Sequence, residues 1–178
     1  MSLSRLERDL SNGGSDEGDA YRQLSSLCVI CPEADRLGLL SRLGQAKSPW
    51  AQAVAAIYLF QAVPTEGRVA LEQATQLPGE PGRLAALALV RRGHAAYAPR
   101  LLRVEEGNYS SEASIWTRTL ALLSNAAARA KVVFPWTLGG ETRATPKTLA
   151  AWWEKNQIQL TPQLRDPWLK ELGSQFVE

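Results

Sequence analysis

Residues Ala55–Glu72 read AAIYLFQAVPTEGRVALE, and residues Ala85–Leu102 read AALALVRRGHAAYAPRLL. Laid over one another at an offset of 30 residues, with no gap, they match at their apolar positions. Ala55 and Ala56 fall on Ala85 and Ala86, Ile57 on Leu87, Leu59 on Leu89, Phe60 on Val90 and Leu71 on Leu101. Just beyond, Ala74 falls on Val104. A period of this size with matched apolar positions marks a stacked helical repeat, in which a unit buries its apolar face only against its neighbours. The stretch therefore predicts two consecutive helix–turn–helix units within an all-α fold.

Working outward, Ser48–Pro49 is a strong helix start, a capping hydroxyl followed by proline in the first turn. The helix expected over Pro49–Gln61 is apolar almost all round, which suits burial on both sides. Pro64–Thr65 stops it and caps a second helix over Thr65–Leu77, with Leu71, Ala74 and Leu77 inward and Arg68, Glu72 and Gln76 outward. Pro78–Pro81 (PGEP) is a hard break. The second unit then runs over Pro81–Arg92, turns at Gly93 and His94, and returns over Ala95–Val104.

On the N-terminal side, residues 1–19 read as a flexible acidic arm, two arginines against five acids in the first twenty residues, either loosely docked or disordered, with Leu3, Leu6 and Leu10 at helical spacing. Asp19 is a plausible N-cap for a helix reaching Val29. Pro32 opens the next helix, with Leu37, Leu40 and Leu43 as its apolar stripe and Gly44 as a left-handed cap. On the C-terminal side, Ser110 or Ser111 caps a third first-helix, Glu112–Asn125, followed by a short partner over Ala126–Val133. Residues 135–178 read as a capping segment, with Thr145–Pro146 and Thr161–Pro162 as further helix starts. Five of the six tryptophans, Trp116, Trp136, Trp152, Trp153 and Trp168, crowd the last third.

The 178 residues suffice for one domain or one short solenoid. Apolar content of 45 % and charged content of 21 % are ordinary for a globular protein. A net charge of +2 does not by itself imply nucleic acid or membrane. No apolar run reaches the roughly 18–20 residues of a membrane span. The sequence MSLSRLERDL carries no apolar signal-peptide core, so a cytoplasmic location is the expectation, although a leader already removed would leave no mark. No phosphate-binding glycine loop, HExxH or GxSxG motif occurs. Cys28 and Cys31 form a CxxC, but with one histidine in the chain and no second CxxC a zinc site lacks ligands. No strand pattern precedes Cys28 to make a thioredoxin-like pair, which leaves two semi-buried thiols at a helix–helix junction. Neither a cofactor nor a metal is expected.

The pattern over Ala20–Val133, antiparallel pairs of short helices with alanine-rich first helices, resembles the HEAT-like repeat family. The tetratricopeptide pattern fits worse. With its tryptophan set at Trp50, Ala53 and Val54 stand where that family has Leu-Gly, and Ile57 where it has tyrosine. The segment Thr145–Asn156 (TPKTLAAWWEKN) is similar to the tryptophan-rich end helix of some bacterial HEAT-like proteins. The resemblance implies a right-handed α–α superhelix of three to four helix pairs over residues 20–134, with a Trp-rich cap. It also implies a non-catalytic protein–protein interaction scaffold that takes its partner on the concave face. The alternatives are a nucleic-acid or polyanion binder, and a HEAT-like lyase or glycosylase-type enzyme. Between Arg83 and Arg103 there are five arginines and no acid. Arg100 and Arg103 share a helix face, which Arg68, Arg129 and Lys131 would extend into a basic strip for an acidic segment, of a partner or of the chain's own N-terminal arm. Trp152 and Trp153, about 100° apart on one helix, are the candidate aromatic anchors.

Overall fold

The computed structural model describes residues 3–13, 16–103, 115–135 and 145–165. Among these, all regular structure is helical: α1 (Leu3–Gly13), α2 (Glu17–Ile30), α3 (Glu33–Leu43), α4 (Pro49–Ala62), α5 (Pro64–Ala74), α6 (Gly79–Val90), α7 (Ala98–Leu102), α8 (Ile115–Ala130) and α9 (Pro146–Leu160). Short 3-10 helices cover Ala95–Tyr97 and Thr161–Gln163. The chain is all-α, as the repeat predicts. No described helix is long and apolar enough to cross a membrane. Ser110, Ser111, Val104, Trp136, the Leu138–Gly140 loop and Trp168 lie outside the described residues.

The chain divides into two compact units, with the division inside α6 between Ala85 and Ala86. In the first unit α1 packs on α2, α2 and α3 pack on α4, and α4 packs on α5. Helix α4 is its centre, with Ala51, Ala53–Ile57, Leu59 and Phe60 all buried. Ser48 Oγ accepts the Ala51 N–H at 3.3 Å and Pro49 fills the first helical position. Helix α5 lies so close to α4 that a Cβ on Gly67 would fall on the backbone of Leu59 and Phe60.

Several expectations for this unit are corrected. Of the two readings of the N-terminal arm, docked or disordered, residues 3–13 follow the first and form α1. Its Leu10 is fully buried, Glu7 pairs with Arg42 on α3 at 2.7 Å, and the Ser11 carbonyl accepts the Ser48 N–H at 3.0 Å. The N-cap of α2 is Asp16, not Asp19. Its Oδ1 accepts the Asp19 N–H at 2.8 Å, while Glu17 and Asp19 favour the positive end of the helix dipole. On α3 the core takes Leu39, Leu40 and Leu43 and leaves Leu37 exposed. Gly44 ends that helix in the right-handed region, at φ −62°, not as a left-handed cap. Helix α5 starts at Pro64, one residue before the expected Thr65, and ends at Ala74.

Helix α6 is buried almost all round, like α4. It starts at Gly79 and takes Pro81 into its first turn, where no N–H is needed. The turn beyond it falls at Gly93, as expected. This residue has φ +93°, and the His94 N–H closes back on the Leu89 carbonyl at 3.1 Å.

In the second unit α7 packs on the 95–97 turn and on α9, and α8 packs on α9 and the 161–163 turn. The helix expected over Ala95–Val104 is broken into a 3-10 turn and the five-residue α7. Pro99 is the cause, because a proline inside a continuous helix has no N–H to donate and clashes with the carbonyl four residues back. The third helix pair expected around Asn125 is instead one helix, α8. Nothing at Asn125 breaks it, and Ala126, Ala127 and Ala128 propagate it at least cost. It ends at Lys131, a non-glycine residue at φ 55°, with the Val132 N–H on the Ala127 carbonyl at 2.9 Å. Helix α9 opens on a capping box. Thr145 Oγ1 accepts the Thr148 N–H at 3.2 Å, and Thr148 Oγ1 accepts the Thr145 N–H at 2.9 Å.

Candidate functional site

The residues selected from sequence fall into both units. Arg68, in the first, stands exposed on α5 with its Nε 2.8 Å from Glu72 Oε1, one helical turn on. An exposed pair at this spacing contributes only about 0.3–0.5 kcal/mol, but it places a carboxylate within the expected basic strip.

The other five lie in the second unit. Arg100 is half-buried on α7, and Arg103 is exposed at its C-terminal cap. The neighbouring Leu101 is fully buried, as its expected inward position requires. Arg129, exposed on α8, donates through Nη2 to the carbonyl of Gln163, fastening the 161–163 turn to α8. Trp152 donates its indole N–H to the Val133 carbonyl at 2.9 Å and meets the Phe134 ring edge-on, 5.1 Å between centroids. Its polar edge therefore holds the segment leaving α8 onto α9. Trp153 is 3 % exposed and belongs to the core, as does Trp116. Arg100 is on α7 but Arg103, its C-cap, has left the helix with extended backbone, so the two do not share a helix face as expected. Arg129 and Trp152 both fasten parts of the α8–α9 region to one another.

Arg83, one of the five arginines counted between positions 83 and 103, is only 4 % exposed, with Nη1 3.4 Å from Glu80 Oε1. It is part of the interior of α6, not of a surface. Arg92 does what its place at a helix end implies, donating Nη1 to the Ala88 carbonyl at 3.4 Å.

Two features have no counterpart among the residues selected from sequence. The first is a cleft of about 270 Å³ in the first unit. Leu40, Ala56, Leu59 and Ala74 are its buried lining, and Ser41, Gln45, Gln52 and Gln73 bring polar side chains to it. None of its lining residues is charged. Gln52 is held by a bond from its Nε2 to the Ala46 carbonyl at 2.6 Å. The only sequence signal for it is the coincidence of small residues at 56, 70 and 74, which leaves room between α4 and α5.

The second is the α2–α3 corner. Cys28 lies in the last turn of α2 and Cys31 is its C-cap, the Cys31 N–H bonded to the Leu27 carbonyl at 2.8 Å. Both thiols are free, Cys28 half-buried and Cys31 buried. Arg36 Nε donates to the Cys31 carbonyl at 3.3 Å. Burial pushes the Cys28 thiol above its ordinary pKa, the Arg36 guanidinium draws it down, and the Cys31 thiol adds to the rise. The pair sits at the negative end of a helix dipole, opposite to the N-terminal placement that activates a thioredoxin-type cysteine.

No protein-family model, curated protein or solved structure matches the chain. Among the described residues no three His, Cys, Asp or Glu side chains gather in a group that could hold a metal ion.

Proposed function

We propose that the chain is a protein-interaction scaffold: a HEAT-like α-solenoid closed by a tryptophan-rich cap, binding an acidic segment of a partner protein. One observation carries this reading. All six residue pairs matched at the 30-residue offset, from Ala55/Ala85 to Leu71/Leu101, are buried in both copies. Sequence equivalence thus coincides with equivalent burial, as stacked repeats require. Burial of Trp116 and Trp153 and the fastening of Trp152 support the cap.

The binding surface in this proposal is made of Arg100, half-buried on α7, Arg103, exposed at its C-terminal cap, and Arg129, exposed on α8. Two or three arginines match a short acidic peptide. A duplex backbone asks for a longer run of cations, each neutralised phosphate contributing its own counterion release. With Arg68 beside Glu72 and Arg129 bonded to the Gln163 carbonyl, the strip is too short for that, so protein is favoured over nucleic acid.

The test is capture of partners by the full chain with and without nuclease, repeated with the Arg100→Glu/Arg103→Glu double variant. The expected outcome is nuclease-resistant capture, lost in the double variant, with a melting temperature within a few degrees of wild type. It should weaken steeply between low and physiological salt, where exposed charges are screened over about 8–10 Å. Nuclease-sensitive capture would move the assignment to nucleic acid. A double variant that binds like wild type would reject the strip.

A further inference from the structure

We infer that Cys28 and Cys31 are a reversible redox pair, oxidised by low-molecular-weight disulfides such as oxidised glutathione to an intrachain disulfide that unwinds the last turn of α2. The pair is independent of the scaffold's binding surface and shares none of its arginines.

Distance decides first whether the bond can form. Residues 28 to 30 are helical, so the Cα atoms of Cys28 and Cys31 stand about 5 Å apart. That lies within the range of about 4.4–6.8 Å found across disulfides. The Cβ atoms are farther than a disulfide tolerates, about 5–6 Å for positions three apart on a helix against about 3.5–4.5 Å in the bond. The bond therefore closes only if the final turn gives way. The hydrogen bond in its way is the one from the Cys31 N–H to the Leu27 carbonyl, since Cys31 must leave its buried position to meet Cys28. A cross-link that must work against its helix is labile and easily reduced, which distinguishes a switch from a structural staple.

The surroundings allow that movement. The two residues enclosed by the ring, Val29 and Ile30, are 81 % and 51 % exposed, so the turn unwinds without drawing either from the core. Cys28 is the half-buried member of the pair and the one a solute reaches first. Burial holds the Cys28 thiol above its ordinary pKa and the Arg36 guanidinium offsets part of that rise, so the exchange quickens as pH rises.

The steps balance. The Cys28 thiolate attacks one sulfur of glutathione disulfide, forming a mixed disulfide and releasing one glutathione thiolate. The Cys31 thiolate then attacks the Cys28 sulfur, releasing the second glutathione. Two protein thiols are oxidised, one glutathione disulfide is reduced to two glutathiones, and the two thiol protons pass to solvent or to the departing thiolates.

The full chain is incubated in glutathione buffers of increasing oxidised fraction, quenched in acid, unfolded, alkylated and weighed. Wild type is expected to pass from two alkyl groups to none, as a monomer two hydrogen atoms lighter, and to recover both on reduction. Cys31→Ser is expected to stop with one glutathione on Cys28, and Cys28→Ser to remain reduced at Cys31. Cys31→Ala serves the same purpose if the serine variant fails to fold. Hydrogen exchange at the Cys31 amide should accelerate in the oxidised chain. Wild type that stops at the mixed disulfide or links two chains would overturn the inference. So would Cys28→Ser taking up glutathione as readily as Cys31→Ser, or oxidation that leaves the Cys31 amide protected.

Discussion

Gly67 sets two physical effects against each other on one atom. It stands inside α5, and replacing a helix-interior glycine by alanine ordinarily stabilises by about 1 kcal/mol. Here the added methyl would fall on the backbone of Leu59 and Phe60, which has no rotamer by which to withdraw. Overpacking of this kind costs about 1–3 kcal/mol, and more where backbone must move. The clash outweighs the propensity, so Gly67→Ala is expected to lower stability by about 2 kcal/mol in chemical denaturation. A stabilised variant would mean that α5 does not lie on α4 as described. Nothing in the sequence marks this glycine, because its role is a close approach between helices. The same holds for Arg83, whose burial is invisible among five arginines spread from 83 to 103. Legible residues are those whose partner is local: Ser48 at the start of α4, Thr145 at the start of α9, and Gly93, whose positive φ accords with the turn it makes.

At the scale of elements, α1 tests which contact docks a helix. It is held by the Glu7–Arg42 pair, where the hydrogen bond that Arg42 donates to Glu7, and then the Glu7 charge, raise the Arg42 pKa. It is held also by Leu10, fully buried. Arg42 is exposed and Glu7 half-buried, and pairs open to solvent in this way contribute about 1 kcal/mol at most. Truncating a buried leucine to alanine costs about 2–5 kcal/mol. Hydrogen exchange of the amides in 3–13 is therefore expected to rise sharply in Leu10→Ala and only slightly in Glu7→Gln. Equal effects would make the ion pair the anchor and refute the ranking. The existence and order of the helices from α2 to α6 were legible, since proline starts and apolar periodicity are carried by neighbouring residues. Where periodicity fits two answers it failed. Leu37 lies three residues before Leu40 and Leu39 four before Leu43, so each fits a helical spacing, and only the position of α4 decides that Leu39 is inside. The break in the second unit was legible in principle, because Pro99 stands at the position matching Val69 in the middle of α5.

At the scale of the molecule, the proposed repeat makes a quantitative claim about matched positions. Leu71 on α5 and Leu101 on α7 are 30 residues apart in sequence and each is fully buried. If they fill the same slot in two copies of one unit, truncating either to alanine removes the same buried atoms. Each should then cost about 2–5 kcal/mol. The copies differ in a way that orders the two costs. In the first, Gly67 lets an eleven-residue α5 press on the backbone of α4, and a cavity under Leu71 has rigid walls. In the second, Tyr97 stands at the matching position and Pro99 has shortened the helix to five residues. A short helix between a 3-10 turn and its own C-cap shifts more easily into a vacated space, and the cost of a cavity falls as its site collapses. Leu71→Ala is therefore expected to cost more than Leu101→Ala, both by denaturant midpoint at unchanged slope. Leu101→Ala with no measurable cost would leave the second copy without the packing slot of the first. The 30-residue period would then be a likeness of sequence alone, and the solenoid proposal would lose its support.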